Sequence, residues 1–205
     1  MRKVIVSEFV SLDGVMEAPD QWHFPFSNEE TGKYKFDELF ASDALLLGRV
    51  TYQGFAAAWP SMTDEEGFAD RMNSLPKYVV STTLEEPLEW NNSTLIKGNI
   101  EEEVSELKRQ PGKDITIVGS GTLVRSLLRD DLLDELRLMV HPIVVGSGKR
   151  LFKDGSDTKV LRLVETKTFG SGVVVLIYQP AGKEDGNTAR GQERSDLRRG
   201  RGNRR

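Results

Sequence analysis

The sequence predicts an α/β fold: three layers, with a mostly parallel eight-stranded sheet in the middle, helices on both faces and an antiparallel hairpin at its C-terminal edge. Three observations carry this. Short runs rich in Val, Ile and Leu alternate with helix-period segments from residue 3 to about 145, as in parallel strands joined by crossover helices. Two helix starts are marked by the boxes Ser27-x-x-Glu30 and Thr63-x-x-Glu66. The last two apolar runs, 161–168 and 173–179, flank Phe169-Gly170-Ser171-Gly172, a hairpin turn.

The elements follow in order. Lys3 to Ser11 is an almost continuous apolar run of the kind a sheet centre demands, broken by Asp13-Gly14. Behind the first box, Phe36, Leu39 and Phe40 sit at helical spacing. Ala44 to Leu47 is a short strand ending at Gly48, and Val50 to Trp59 is a helix stopped by Pro60. The second box opens a helix with Phe68 and Met72. Lys77 to Thr82 and Thr94 to Lys97 read as strands. Asn99 caps a helix whose apolar face is Ile100, Val104 and Leu107. Ile115 to Val118 runs into Gly119-Ser120-Gly121, and Leu123, Val124, Leu127 and Leu128 form one face of the next helix. Glu135 to Val145 reads as one long strand, closed by Gly146-Ser147-Gly148.

The 205 residues make one domain of 1–182 and a tail of 183–205. The body carries a net charge of −8 and the Arg-rich tail +4. An acidic body repels phosphate backbones, so no nucleic-acid partner is expected. The tail has one sizeable apolar side chain, Leu197, and is expected to be disordered. Cys is absent, which excludes disulfides and thiolate chemistry. His23 and His141 form no metal-spaced pair, so no metal is expected. With no signal-peptide pattern and no apolar run of spanning length, the chain is expected to be soluble, cytoplasmic and without a membrane partner.

Three strand ends carry anion-friendly chemistry. Gly119-Ser120-Gly121-Thr122 lies between a buried strand and a helix, where backbone amides can meet a phosphate unshielded by side chains, although a plain tight turn reads the same way. Gly48-Arg49-Val50-Thr51-Tyr52 puts an Arg in a first helical turn, which the helix dipole disfavours unless an anion sits beside it or the chain reaches to solvent. Ser81-Thr82 leaves the next strand with hydroxyls suited to a ribose, or to an ordinary turn. Acid–base groups are scarce: Asp13, Glu29 and Glu30 are the candidates. A chain with anion sites and few acids points to a cofactor that carries the reaction. Trp22, Phe24 and Trp59 could wall a flat ring or simply pack.

Ser11-Leu12-Asp13-Gly14 resembles the S-L-D-G element of the riboflavin-pathway reductase domain, and Gly48-Arg49-Val50-Thr51-Tyr52 the G-R-x-T-[YW] element of dihydrofolate reductase. Val118-Gly119-Ser120-Gly121-Thr122-Leu123 is similar to the glycine turn both families share, and Pro142 to Phe152 to the P-x-x-x-G-x-G-x-x-L-F segment of the riboflavin branch. The chain thus resembles the dihydrofolate-reductase-like superfamily, of the stand-alone riboflavin-reductase C-terminal (RibD C-terminal) type. The resemblance implies NADPH, with Gly119, Ser120, Gly121, Thr122 and Leu123 at its pyrophosphate. Arg49 and Thr51 would meet phosphates beside Gly48, Ser81 and Thr82 the adenosine ribose, and Asp13 and Gly14 the nicotinamide. It implies hydride transfer to a C=N of a small pyrimidine- or pterin-type heterocycle, with Glu30, Glu29 or water held by Asp13 as proton source, and a homodimer. At Ala56 to Met62 the chain departs from the D-D-P-x-L segment of the riboflavin enzymes. A nucleotide-binding module without turnover is the alternative.

Overall fold

The computed structural model describes residues 1–181; the expected disordered tail lies outside them. Eight strands form one sheet: β1 (Val4–Ser11), β2 (Ser42–Gly48), β3 (Lys77–Val80), β4 (Ser93–Ile96), β5 (Asp114–Val118), β6 (Glu135–His141), β7 (Leu161–Thr168) and β8 (Val174–Pro180). Their order is β4-β3-β2-β5-β1-β6-β8-β7. The first six are parallel, and β8 runs antiparallel to both β6 and β7. This is the expected mostly parallel eight-stranded sheet with an antiparallel hairpin at its C-terminal edge.

Helices α1 (Glu29–Ala41), α2 (Arg49–Ala58) and α3 (Phe68–Ser74) cover one face of the sheet; α4 (Ile100–Arg109) and α5 (Gly121–Arg129) cover the other. Period-2 alternation divides each strand between the two layers. Leu45, Leu47 and Val79 pack with Leu39, Tyr52, Met72 and Leu75, while Val4, Val6, Leu46, Ile115 and Ile117 pack with Val104, Leu123, Val124 and Leu127.

Several boundaries differ from the sequence reading, each for a local reason. The first helix is capped by Asn28, which accepts from Thr31 N–H while the Thr31 hydroxyl accepts from Asn28 N–H; Ser27 and Glu30 are not the pair. At α3 the Asp64 carboxylate accepts from the Phe68 and Ala69 amides, so the helix starts later than Thr63 implied. Strand β6 stops at His141 because Pro142 has no N–H for the ladder, and 142–151 is a loop. That loop is zipped to the segment after β1: Leu12 N–H donates to Ile143 O, Met16 N–H to Lys149 O and Leu151 N–H to Gly14 O.

Candidate functional site

The order β2-β5-β1 places the topological switch beside β5, where parallel sheets bind ligands at their carboxyl ends. β5 is paired with β1 only as far as Ser7↔Val118, whereas β1 continues along β6 to Ser11↔His141. Beyond Val118 the two strands part, and the glycine turn rises from the fork.

That turn is tightly built. Gly119 and Ser120 both adopt the left-handed region, at φ of 63° and 64°. Ser120 Oγ accepts from Gly48 N–H at 2.8 Å and donates to Thr51 Oγ1 at 3.0 Å, locking the ends of β2 and β5 together. A Cβ on Gly119 would lie 2.7 Å from Thr51 Oγ1, and one on Gly121 2.7 Å from Met16 Sδ. The turn opens α5, whose first amides have no intrahelical partner; the backbone bond of Val124 N–H to Ser120 O begins the ladder. Gly48, Thr51, Gly119, Ser120 and Gly121 therefore form one cradle that can take a pyrophosphate.

The other cofactor candidates divide. Thr122 is exposed at the same helix end, where its hydroxyl accepts from Arg125. The Leu123 side chain is core, so only its amide can serve. Arg49 is exposed and bonds Gln53 one turn on, at 3.1 Å. The Ser81 hydroxyl accepts from the Thr83 and Leu84 amides, capping its own turn, while Thr82 stands exposed. Gly14, at φ 78°, shapes the loop after β1.

The three acids proposed from sequence are engaged elsewhere or face outward. The Asp13 carboxylate accepts from Ser11 Oγ (2.6 Å), Val145 N–H (3.1 Å) and Gly146 N–H (2.9 Å) and faces Arg150. These donors hold its carboxyl well below the usual carboxylate range, so Asp13 is a clamp between loops and carries no proton to give. Glu29 and Glu30 are exposed on the outer side of α1, where Glu30 accepts from Gly170 N–H at 2.9 Å and ties the β7–β8 turn to the helix.

The inward stripe of α1 is instead Thr31, Lys35 and Glu38, at helical spacing. Lys35 Nζ donates to Ser7 Oγ and Glu38 Oε2, both at 2.7 Å, and lies 5.4 Å from the centre of the Phe9 ring. Arg137 bonds Glu38 and Glu135 from β6. Burial opposes ionisation of Glu38, but Lys35, Arg137 and Ser7 outweigh it and keep its carboxyl below the usual value. Toward the carboxyl end of the sheet, His141 is buried among Phe9, Trp22, Phe26 and His23, with ring centres 5.1, 5.3, 6.1 and 6.1 Å away. His141 Nδ1 lies 2.9 Å from Met139 O, so that nitrogen must carry the hydrogen; burial pushes the pKa down and keeps the ring neutral. Trp22 donates from Nε1 to Glu17 O, and Phe24 is exposed against His23.

Trp59 is not part of this wall. It packs with Phe55 and Phe68 between α2 and α3, over β2 and β3.

Sequence reasoning missed Glu8, Thr31, Lys35, Glu38 and His141. Glu8 was visible as a lone acid inside an apolar strand. It is 3 % exposed, and its Oε2 accepts from Gly119 N–H at 3.0 Å. Glu8 and Phe9 point to opposite faces of β1, so one strand joins the cradle to the aromatic cluster around His141.

Comparison with known proteins agrees with this architecture. The family model of the RibD C-terminal domain matches residues 2–175. The chain is 35% identical over 181 residues to the uncharacterized protein YyaP of Bacillus subtilis (strain 168), covering 86% of this chain and 94% of YyaP. It is 29% identical over 175 residues to YwjB of the same organism, covering 84% and 95%. The crystal structure of a putative riboflavin biosynthesis protein from Shewanella sp. PV-4 superposes with a TM-score of 0.72 at 22% identity, over 88% of this chain and 99% of that one. Dihydrofolate reductase from Enterococcus faecalis, complexed with NADP(H), gives 0.57 at 16% identity, over 88% and 97%. The overall fold is thus shared with both, and the chain belongs to the RibD C-terminal domain family.

Proposed function

We propose that the chain is an NADPH-dependent reductase that acts on a C=N bond of a small pyrimidine- or pterin-type heterocycle. The carrying observation is the cradle: strand ends from β2 and β5 are fastened by Ser120 beneath free amides of α5, where side chains at 119 and 121 would collide. Gly48, Thr51, Gly119, Ser120, Gly121 and the amides of Thr122 and Leu123 would hold the dinucleotide, with Arg49 and Thr82 available to its outer phosphate and ribose. When bound, NADPH supplies the hydride.

The chain's own part is to orient the ring and deliver a proton. Trp22, Phe9 and Phe26 offer flat apolar walls, and neutral His141 leaves Nε2 as an acceptor. Lys35, at the border of this pocket, holds a proton at Nζ and is backed by Glu38 and Ser7, which fix its position. We assign the protonation of the substrate nitrogen to Lys35 in place of Glu30. A cytoplasmic setting accords with use of NADPH. A homodimer belongs to the same reading, because β7 leaves all but its first residue exposed, Leu163 and Val164 among them.

The test is a titration of NADPH against NADH by quenching of tryptophan fluorescence, followed by NADPH oxidation with a panel of pterins and aminopyrimidines. Tight, NADPH-preferring binding with turnover on one of these rings supports the reading. Binding without turnover on any of them leaves a nucleotide-binding module, and no binding of either nucleotide removes both.

A further inference from the structure

Glu8 stands out among the buried acids because half of its carboxyl has no partner among the described residues. Oε2 accepts from Gly119 N–H, while Oε1 is buried and has no hydrogen-bond partner among the described residues. The carboxyl fills the fork where β5 leaves β1, directly behind the first residue of the cradle. Its neighbours on the same strand face are Val6 and Val10, and α5 brings Leu123, Val124 and Leu127 to that layer. β6 places Leu138 beside it in register, and β5 and the turn contribute backbone. The charged group acting on it is Lys35 of α1, whose ammonium is bonded to Ser7 on the other face of β1.

Such surroundings solvate a carboxylate poorly. One amide donor and one cation across the sheet do not replace the water lost by a fully buried anion, so the neutral acid is favoured. Because Oε2 is the acceptor for Gly119, the proton resides on Oε1. The cradle in front faces ligand phosphate. An ionised Glu8 would set a negative charge one residue behind it in a poorly screened interior, where like charges repel most strongly.

We propose that Glu8 is a positioning residue that holds Gly119 in place while protonated, and that an anionic dinucleotide binds the cradle only in that state. This rests on the cofactor reading above. Linkage then requires reciprocity: the proton strengthens dinucleotide binding by the same factor by which the dinucleotide strengthens proton binding. Gly119 is the mechanical link, since its amide belongs to both the Glu8 contact and the turn.

The experiment measures NADPH and ADP-ribose affinity between about pH 7 and pH 9.5 for the wild type and Glu8→Gln. Across that range the pyrophosphate diester of ADP-ribose keeps a fixed charge. Wild-type affinity should fall with rising pH, by up to about tenfold per pH unit once Glu8 begins to ionise. Glu8→Gln keeps an acceptor for Gly119 and cannot ionise, so its affinity should stay flat. A pH-independent wild type, or an equal fall in Glu8→Gln, overturns the proposal. The carboxyl carbon of Glu8, followed by NMR in the wild type, gives a readout independent of turnover and of the variant: its titration should move to higher pH when ADP-ribose is added, and an unmoved titration overturns the proposal. If NADPH fails to bind but ADP-ribose binds with the expected pH dependence, the reductase reading falls and the role of Glu8 stands. If neither binds at any pH, both fall.

Discussion

At the scale of single residues, two side chains near α1 separate by chemistry. Lys35 is turned inward against Phe9 and Ser7, whereas Glu30 is exposed and spends its carboxylate on the Gly170 amide. Lys35→Met should therefore lower turnover by about a hundredfold or more, the ordinary contribution of a positioned acid, while NADPH affinity stays near wild type. Glu30→Gln should leave turnover unchanged. Rapid-mixing and steady-state measurements on both variants check this; full activity in Lys35→Met would remove Lys35 from the chemistry. Asp13 makes a pH-dependent case. Its carboxyl titrates lower in the folded chain than unfolded, so its stabilisation is complete above the unfolded value of 3.8 and is lost as pH falls below that. Asp13→Asn should lower Tm at neutral pH, and the gap to wild type should begin to narrow below about pH 4 and go on narrowing as the pH falls further, as thermal melts can follow. Much of this was legible: Asp13 as a turn residue needed only its place before Gly14. The direction of α1 was not, because Glu29-Glu30-Thr31 offers three polar residues in a row. Which of them faces inward depends on where the cap falls, and Asn28 with Thr31 set the start one residue away from the Ser27 box.

At the scale of elements, the strand-to-helix turns do most to define the site. Gly119→Ala would force a Cβ onto a left-handed residue and to within 2.7 Å of Thr51 Oγ1. The backbone term costs about 1–2 kcal/mol, and loss of the Ser120–Thr51 bond about 1 kcal/mol more. Tm should fall by roughly 5–10 °C, and dinucleotide binding should be lost. Adding Thr51→Ala removes the clashing atoms, so the double variant should be less damaged than the two single effects summed, which chemical denaturation can establish. Gly121→Ala differs: its Cβ meets the flexible end of Met16, and the backbone there is not left-handed. It should cost little stability yet weaken the dinucleotide, since the methyl group stands at the mouth of the cradle. Strand–turn–helix units of this kind were readable from the glycines and the helix period alone. What could not be read was their joining. Ser120 reaches Gly48 and Thr51 across about seventy positions of sequence, a contact that exists only once β2 and β5 are neighbours. The same limit explains Trp59. Its sequence places it near the end of α2, and only the packing of α2 on α3 shows that it lies over β2 and β3, apart from Trp22.

For the whole molecule, the sheet poses a problem at its far edge. Strands β1, β2 and β5 have helices on both faces, but β7 has water on all but its first residue, and Val160, Leu163 and Val164 are each nearly half exposed. Val164 is the extra residue where the β7–β8 register shifts, a bulge that twists the edge and disfavours simple strand addition. A sheet normally buries at least one face, so this strand is suited to packing side chains against a second copy rather than to extending the ladder. A twofold arrangement would bring identical β7–β8 surfaces together, with Leu163 and Val164 near the axis and Glu165 and Lys167 able to pair across it. Roughly 800 Å² per partner is needed for such an interface to persist. The expected result is a solution mass of twice the 23.0 kDa chain by light scattering. Leu163→Glu with Val164→Glu should reduce it to the monomer, because like charges would face one another, desolvated and unpaired, across the axis. The wild-type Tm should also rise with protein concentration and that of the double variant should not, since only an assembling native state is stabilised by mass action. A wild type of monomeric mass at every concentration would show that β7 is solvated in the working protein. Because β8 pairs with β6, and His141 ends β6 inside the aromatic cluster, loss of the dimer should also loosen the proposed substrate side of the site while leaving the cradle at β2 and β5 intact. The double variant is thus expected to keep wild-type NADPH affinity and to lose turnover, a split that a defect of folding alone would not produce.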